Sequence, residues 1–329
     1  MIVNSQIKKV AVIGLGNIAT RHRRNLKYLF PAATVYAMSA SGRNHHEIVS
    51  DCDHLVSNLD ELVALKVDFV IVASPAPFHV NHTLALLEAN IPTLIEKPVT
   101  TTLADAKKIK QFATKYQTPV SVGYCLRYLP SAQKLRGFLA KDKIGVLYNA
   151  HIEIGQYLPD WRPSKDYRES VSANKHLGGG ALFELSHELD YAQWLLGPLA
   201  LQHATLRSTL ELGLDVEDIA DIMAVTSSNA VATIHLDFLQ RKAHRRCSFV
   251  GSKGRIDWCL MSNQLIFTTT EGIVTLYHDP EWDKNQMYLL MLEDFVQMIQ
   301  GNSNNCISLD EATSTVSLID EIKRNACTL

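Results

Sequence analysis

Three groups of residues in this chain have types and spacings that can do chemistry. In "IEKPVT", Lys97 stands one residue after the short apolar run Pro92-Thr93-Leu94-Ile95, between Glu96 and Pro98. A charged amine at the carboxyl end of a buried parallel strand stands at the sheet's ligand-binding edge, where proton-transfer groups can act, and the proline fixes the backbone behind it. Whether the Lys97-Pro98 bond is cis is not set by sequence. In "GGGALFELSHELDYAQWLLG", Glu184, His187 and Tyr191 recur at three- and four-residue spacing and predict one helix face, with Asp190 at its edge. A neutral imidazole accepts a proton near pH 7 and a carboxylate can orient it; a lone helical histidine is otherwise a core residue. Near the N-terminus, "GLGNIA" has the spacing of a phosphate cradle.

The elements that must position these groups alternate over the first 123 residues. "KKVAVIG", "ATVYAMSA", a weaker run at His54 to Val56, "DFVIVASP", "PTLIE" and "PVSVGY" predict strands, with helical segments between them. Strands separated in this way form right-handed crossovers and a doubly wound parallel sheet. "GLGNIA" sits at the first strand-to-helix turn, where a dinucleotide binds. There Gly14 permits the tight turn, Gly16 lets backbone approach the pyrophosphate, and Ala19 replaces the third glycine. Asn17 and Ile18 open the helix whose free amides face the phosphates. An acid after the second strand would hold a ribose 2′-hydroxyl, but this chain reads Ser39-Ala40-Ser41-Gly42-Arg43. Two hydroxyls and a guanidinium suit a 2′-phosphate, which favours NADP over NAD; the plain alternative is that Arg43 is a solvated loop cation.

Beyond residue 124 the texture changes to a long strand, an irregular stretch, the glycine-led helix and then six strand-like runs to about residue 280. These predict a second α/β domain, 124–329, built on a mostly antiparallel sheet and closed by two helices that can pack back on the first domain. "GYCLRYLP" and "GQYLPDWRPSKDYR" bring together Arg127, Tyr157, Trp161, Arg162, Lys165 and Arg168. Aromatic faces stack on sugar rings or bases and arginines fork onto carboxylates or phosphates, which points to an anionic sugar. An oligomer contact is the other reading of that loop.

Composition narrows the classes. The 329 residues are 47% hydrophobic and 20% charged with net charge -2, ordinary for a globular chain and wrong for general nucleic-acid binding. No apolar run has transmembrane length, and no leader pattern precedes the first strand. The six cysteines are scattered without metal or redox spacing and read as reduced thiols of a cytoplasmic protein, and the histidines suggest no metal site.

The glycine turn, "EKP" after the fifth strand and "GGG…H…D…WLLG" occur in one order, accompanied by "SPAPFHVNH" and "MYLLMLEDFVQMIQG". Over essentially its whole length the chain resembles the glucose–fructose oxidoreductase/inositol dehydrogenase (Gfo/Idh/MocA) family. The resemblance implies a Rossmann domain, an open-sheet α/β domain and nicotinamide redox chemistry on sugars or related alcohols. It implies that Lys97 exchanges a proton with the substrate oxygen beside the nicotinamide, where the bland alternative is a surface lysine paired with Glu96. It carries His187 over as a second catalytic residue. Glu184 stands three residues before it where the family's aspartate stands four, which puts its role in doubt. His79, Ser74 and Pro75 fall near the cofactor by the same resemblance, with a simple helix-capping loop as the alternative for His79. Glu96 is counted among the cofactor contacts and Tyr191 among the substrate contacts. The family commonly forms homodimers or homotetramers through the second sheet, so a partly apolar outer face is expected there. The remaining function classes are a catalytically silent dinucleotide sensor and a biliverdin-reductase-like or dihydrodiol-dehydrogenase-like reductase.

Overall fold

A computed structural model describes residues 7–42, 49–164 and 166–329. The chain divides into two units. The first comprises residues up to Tyr124 together with Tyr288–Val316, and the second comprises Cys125–Met287 and Ser317–Leu329.

In the first unit, β1 (Lys9–Ile13), β2 (Thr34–Met38), β3 (His54–Val56), β4 (Phe69–Val72), β5 (Thr93–Ile95) and β6 (Val120–Val122) form one sheet. Its order is β3-β2-β1-β4-β5-β6 and every pairing is parallel. Apolar residues fill β1, β4 and β5 because both faces are covered by helices, and β4 is buried throughout. The crossovers are α1 (Asn17–Leu29), α2 (Leu59–Ala64), α3 (His79–Glu88) and α4 (Leu103–Tyr116). The order reverses between β1 and β4, so the loops after those strands open the switch point where doubly wound sheets bind ligands.

In the second unit α5 (Pro130–Ala140) precedes β7 (Leu147–Gly155); α6 (Ala181–Glu184) and α7 (His187–Leu196) follow an irregular stretch. Next come β8 (Leu199–Arg207), β9 (Ile219–Thr226), β10 (Val231–Asp237), β11 (His244–Gly251), β12 (Gly254–Cys259), β13 (Gln264–Thr269) and β14 (Gly272–His278). At the chain's end, α8 (Gln286–Ile299) and the first half of α9 (Leu309–Asn325) fall largely in the first unit, whereas the rest of α9 and β15 (Cys327–Thr328) belong to the second. The nine strands run in the order β14-β13-β12-β11-β7-β10-β9-β8-β15, antiparallel except where β7 meets β10 and β8 meets β15. Strand alternation turns Ala150, Ile152, Ile154, Ala232, Ile234 and Phe249 inward. The other face carries His151, Glu153, Asp221, Thr233, His235 and Arg246, with Met223 and Val231 among its exposed apolar members. That face is thus mixed, mostly polar with a few exposed apolar members.

The glycine-led segment, expected as one helix, is two. Backbone bonds shorten to three-residue spacing at Ser186 and Glu188, while Glu184, Leu185 and Asp190 keep four-residue spacing. Each piece is held by a different anchor. The Glu217 carbonyl and carboxylate accept the Ala181 and Leu182 amides, whereas α7 is fastened by arginines described below.

Candidate functional site

The glycine turn is built by close packing. Gly14 has φ +117°, and a Cβ there would lie 2.4 Å from the Ala73 carbonyl oxygen, so β1 can turn against the end of β4 only with glycine. A Cβ on Gly16 would meet no atom within 4 Å. Gly16 is the N-cap of α1, and no side chain caps the helix and no acid lies in its first turn. Open space beside exposed backbone, first-turn amides and the positive end of a thirteen-residue helix together fit a pyrophosphate.

Sequence reasoning passed over the buried face of α1. Ala19, His22, Arg23 and Leu26 follow the i, i+3, i+4, i+7 stripe, and all are buried. Two polar residues on a core stripe were the signal. Arg23 donates to the Ser50 carbonyl at 2.8 Å, to Thr20 Oγ1 at 2.9 Å and to the Gly14 carbonyl at 3.3 Å, bracing the turn from below. Burial pulls its pKa below the ordinary arginine value.

At the neighbouring strand end, every residue from Thr93 to Thr100 is buried except Lys97. Lys97 thus reaches the surface at the carboxyl end of β5, and its bond to Pro98 is cis. Glu96 turns the other way. Its Oε1 lies 2.6 Å from Nε2 of His22, and its Oε2 accepts the Lys97 amide at 3.1 Å. Burial drives the carboxyl upward, yet the His22 hydrogen bond and charge, with the Lys97 ammonium and amide, hold it below the ordinary value. Glu96 is therefore an internal support instead of a cofactor contact, because its carboxylate is spent inside the fold.

His79 is likewise engaged inside the fold. It is 1% exposed, with Nε2 2.7 Å from the Ser74 carbonyl and Nδ1 3.1 and 3.2 Å from those of Pro98 and Val99. It clamps the loop after β4 to the loop after Lys97. Ser74 is also occupied, since its Oγ lies 3.1 Å from Nδ1 of His82. The half-buried Pro75 opens the turn before α3. At the end of β2 the Ser39 and Ser41 hydroxyls lie 3.4 Å apart at the surface. Arg43 and Lys165 lie outside the described residues.

In the second unit, Glu184 and His187 are the members of the run 181–192 that are not buried, but they belong to different helices. Asp190 does not sit at the edge of an open face. It is buried, and its carboxylate accepts from Arg127 Nε at 2.9 Å and Nη2 at 2.7 Å. This fork fastens Arg127 to α7, with its guanidinium also over Trp194. Glu188, which sequence reasoning missed, is buried and accepts from Arg245 at 2.7 and 3.0 Å. Tyr191 is fully buried against Trp258, its hydroxyl on Glu188 and Cys247, so it is core and not a substrate contact. The patterning that hid these roles is physical: a buried carboxylate needs a cation, and the arginines come from remote strands and loops.

The irregular stretch after β7 encloses a cavity of about 260 Å³ lined by Trp161, Arg162, Asp166, Tyr167, Glu169 and Ser170, among others. Trp161 packs edge-on against Phe238, and its indole nitrogen and the Ser170 hydroxyl are buried with no hydrogen-bond partner among the described residues. The Arg241 guanidinium covers one face of the Tyr157 ring at 3.7 Å. Arg168 lies over Tyr167. No group of three or more metal-binding side chains occurs among the described residues, and no helix is long and apolar enough to cross a membrane.

Comparison with known proteins bears on both units. Residues 8–124 match the oxidoreductase family with an NAD-binding Rossmann fold (Gfo/Idh/MocA), and residues 132–257 match that family's C-terminal domain. The rhizopine catabolism protein MocA of Rhizobium meliloti is 29% identical over 46% of this chain and 45% of its own length. D-glucoside 3-dehydrogenase of Escherichia coli K12 is 28% identical over 62% of this chain and 58% of its own. The matched stretches thus span about half the length of these curated relatives. A levoglucosan dehydrogenase structure, in complex with NADH and levoglucosan, superimposes with TM-score 0.83 at 18% identity, covering 98% of this chain and 97% of that one.

Proposed function

The chain belongs to the Gfo/Idh/MocA oxidoreductase family, and from that premise we propose that it transfers a hydride between a nicotinamide cofactor and a sugar-like carbinol or ketone. One observation carries the reading: Lys97 emerges half-exposed from an otherwise buried run, at the strand-end edge of the sheet that also holds the open glycine turn. The bound nicotinamide would supply or accept the hydride. The amides of Gly16, Asn17 and Ile18 would hold its pyrophosphate, and the loop at Ser74 and Pro75 would lie toward its ring. Lys97 takes the hydroxyl proton as the carbinol is oxidised and returns it in reduction. His187, also half-exposed, is the second residue proposed for proton transfer, with Glu184 as its accessible carboxylate neighbour in sequence.

NADP is the proposed preference. Its support is the absence of an acid from Ser39 to Gly42 and the paired hydroxyls of Ser39 and Ser41, with Arg43 for the 2′-phosphate. NAD is the second reading, favoured by the NADH held in the levoglucosan dehydrogenase structure. The cavity beside Trp161 and Arg162, with the Trp161 indole nitrogen and the Ser170 hydroxyl awaiting partners, supports a hydroxylated substrate. Self-association through the outer face of the nine-stranded sheet is proposed on polar contacts. The six cysteines are free, in keeping with a reducing compartment. The test is oxidation of NADPH and reduction of NADP, followed by absorbance, with levoglucosan, myo-inositol, D-glucosides and UDP-N-acetylglucosamine. Turnover of a sugar supports the reading. Tight dinucleotide binding with no turnover across sugars and their ketones returns the protein to the sensor class.

A further inference from the structure

The buried face of α1 touches both functional turns of the first unit. Arg23 reaches the Gly14 carbonyl, and the adjacent His22 reaches Glu96, the residue before the proposed catalytic lysine. His22 is wholly buried and Glu96 is 7% exposed, so this is an internal polar contact and not a surface pair. The site around the carboxylate is closed: a Cβ on Gly123 would lie 3.2 Å from it. Polar contacts of this kind are costly to bury and specify one arrangement when their bonds are made. Glu96 makes two bonds in different directions, one to α1 and one to the Lys97 amide.

We propose that Glu96 and His22 are positioning residues for the Lys97 chemistry, locking the backbone of the lysine turn onto the helix whose N-terminus receives the cofactor phosphates. The glycine turn and the lysine turn then move as one piece, because neighbouring residues of a single helix turn hold them. The lysine is held in register with whatever α1 binds, which is what proton transfer at a fixed distance requires. Glu96 need touch neither substrate nor cofactor to act in this way. The inference rests on the proposed role of Lys97.

The test compares Glu96→Gln, His22→Gln, His22→Leu and Lys97→Ala in the full-length protein. Glu96→Gln keeps the shape and an acceptor for the Lys97 amide but removes the charge. It should retain NADPH affinity, read by fluorescence, while kcat on a turned-over sugar falls by about 10 to 10² with KM little changed. Acetylation of Lys97 by acetic anhydride, read by peptide mass spectrometry, needs no substrate. Its rate in Glu96→Gln should rise about threefold or more as the lysine turn loses its fixed position and opens locally. His22→Gln retains an N–H donor and should lose less turnover than His22→Leu, which a purely space-filling role would not produce. Unchanged Lys97 labelling in folded Glu96→Gln overturns the proposal, as does equal loss from the two His22 variants. If Glu96→Gln does not fold, the two His22 variants decide by labelling and turnover. Impaired Lys97→Ala with normal Glu96→Gln sinks this inference alone, whereas normal Lys97→Ala sinks the proposed chemistry as well.

Discussion

Two regions each lift one protonatable side chain out of a buried run, and they are held in different ways. Lys97 rises from the loop after β5, where its neighbours are secured mainly by backbone: the Lys97 amide on Glu96, and the carbonyls of Pro98 and Val99 on His79. His187 opens α7 just before Glu188 and Asp190, whose buried carboxylates are gripped by Arg245 and Arg127. The first region places its group through short-range chain geometry reinforced by one histidine–glutamate contact. The second depends on cations from sequence-distant segments. A buried charge pair is unforgiving when one partner is lost, so the second region should fail by unfolding where the first fails by losing chemistry.

The comparison is tested most strongly at Lys97. Lys97→Ala should leave folding and NADPH affinity nearly intact while lowering turnover by about 10²–10⁴, the usual contribution of a positioned acid or base. Near-normal kcat in the folded variant would return Lys97 to the reading of a surface lysine paired with Glu96. His187→Ala should likewise reduce kcat more than it reduces stability.

The next effect belongs to the second region. Glu188→Leu leaves the Arg245 guanidinium without its carboxylate and should destabilise the protein by about 3–5 kcal/mol in urea denaturation. Adding Arg245→Met should recover a large part of that loss. A single variant as stable as the parent would erase the distinction between the regions.

Within the first region, Arg43→Ala asks whether the cofactor edge also uses side-chain charge. It should cut the NADPH-over-NADH preference by about tenfold, since a charge-assisted hydrogen bond is worth about 1.5–3 kcal/mol. Equal dissociation constants for the two cofactors in the parent protein would remove the NADP assignment.

The smallest effect lies on the outer face of the second sheet. His235 bonds to Asp237 at 3.0 Å and Asp221 at 2.6 Å, and these carboxylates, Asp237 foremost, raise its pKa to about 9. The folded value lies above the ordinary 6.5, so the protonated histidine stabilises the fold fully below that pH. This stability is lost as pH rises through about 9, and solvent screening keeps it small. Urea midpoints measured from pH 6 to 10 should fall over that window and flatten in His235→Gln; parallel curves would contradict the sign.

Local chain chemistry already determined much of this protein. The β/α alternation, the glycine turn and the lysine after a buried strand are written in contiguous residues, because periodicity, φ freedom and strand ends are short-range properties. The second sheet was legible as a series of alternating runs, though the polar stripe on its outer face emerged only with register. What tertiary structure decided was which polar residues are spent on the fold. Spacing placed Glu184, His187, Asp190 and Tyr191 on one helix, but separate anchors break it, Arg127 claims Asp190, and Trp258 buries Tyr191. Glu96 and His79 sat in motifs that suggested ligand contact, yet they face His22 and backbone carbonyls. A buried polar group must find its partner wherever the folded chain supplies one, and that partner can be 74 residues away, as His22 is from Glu96.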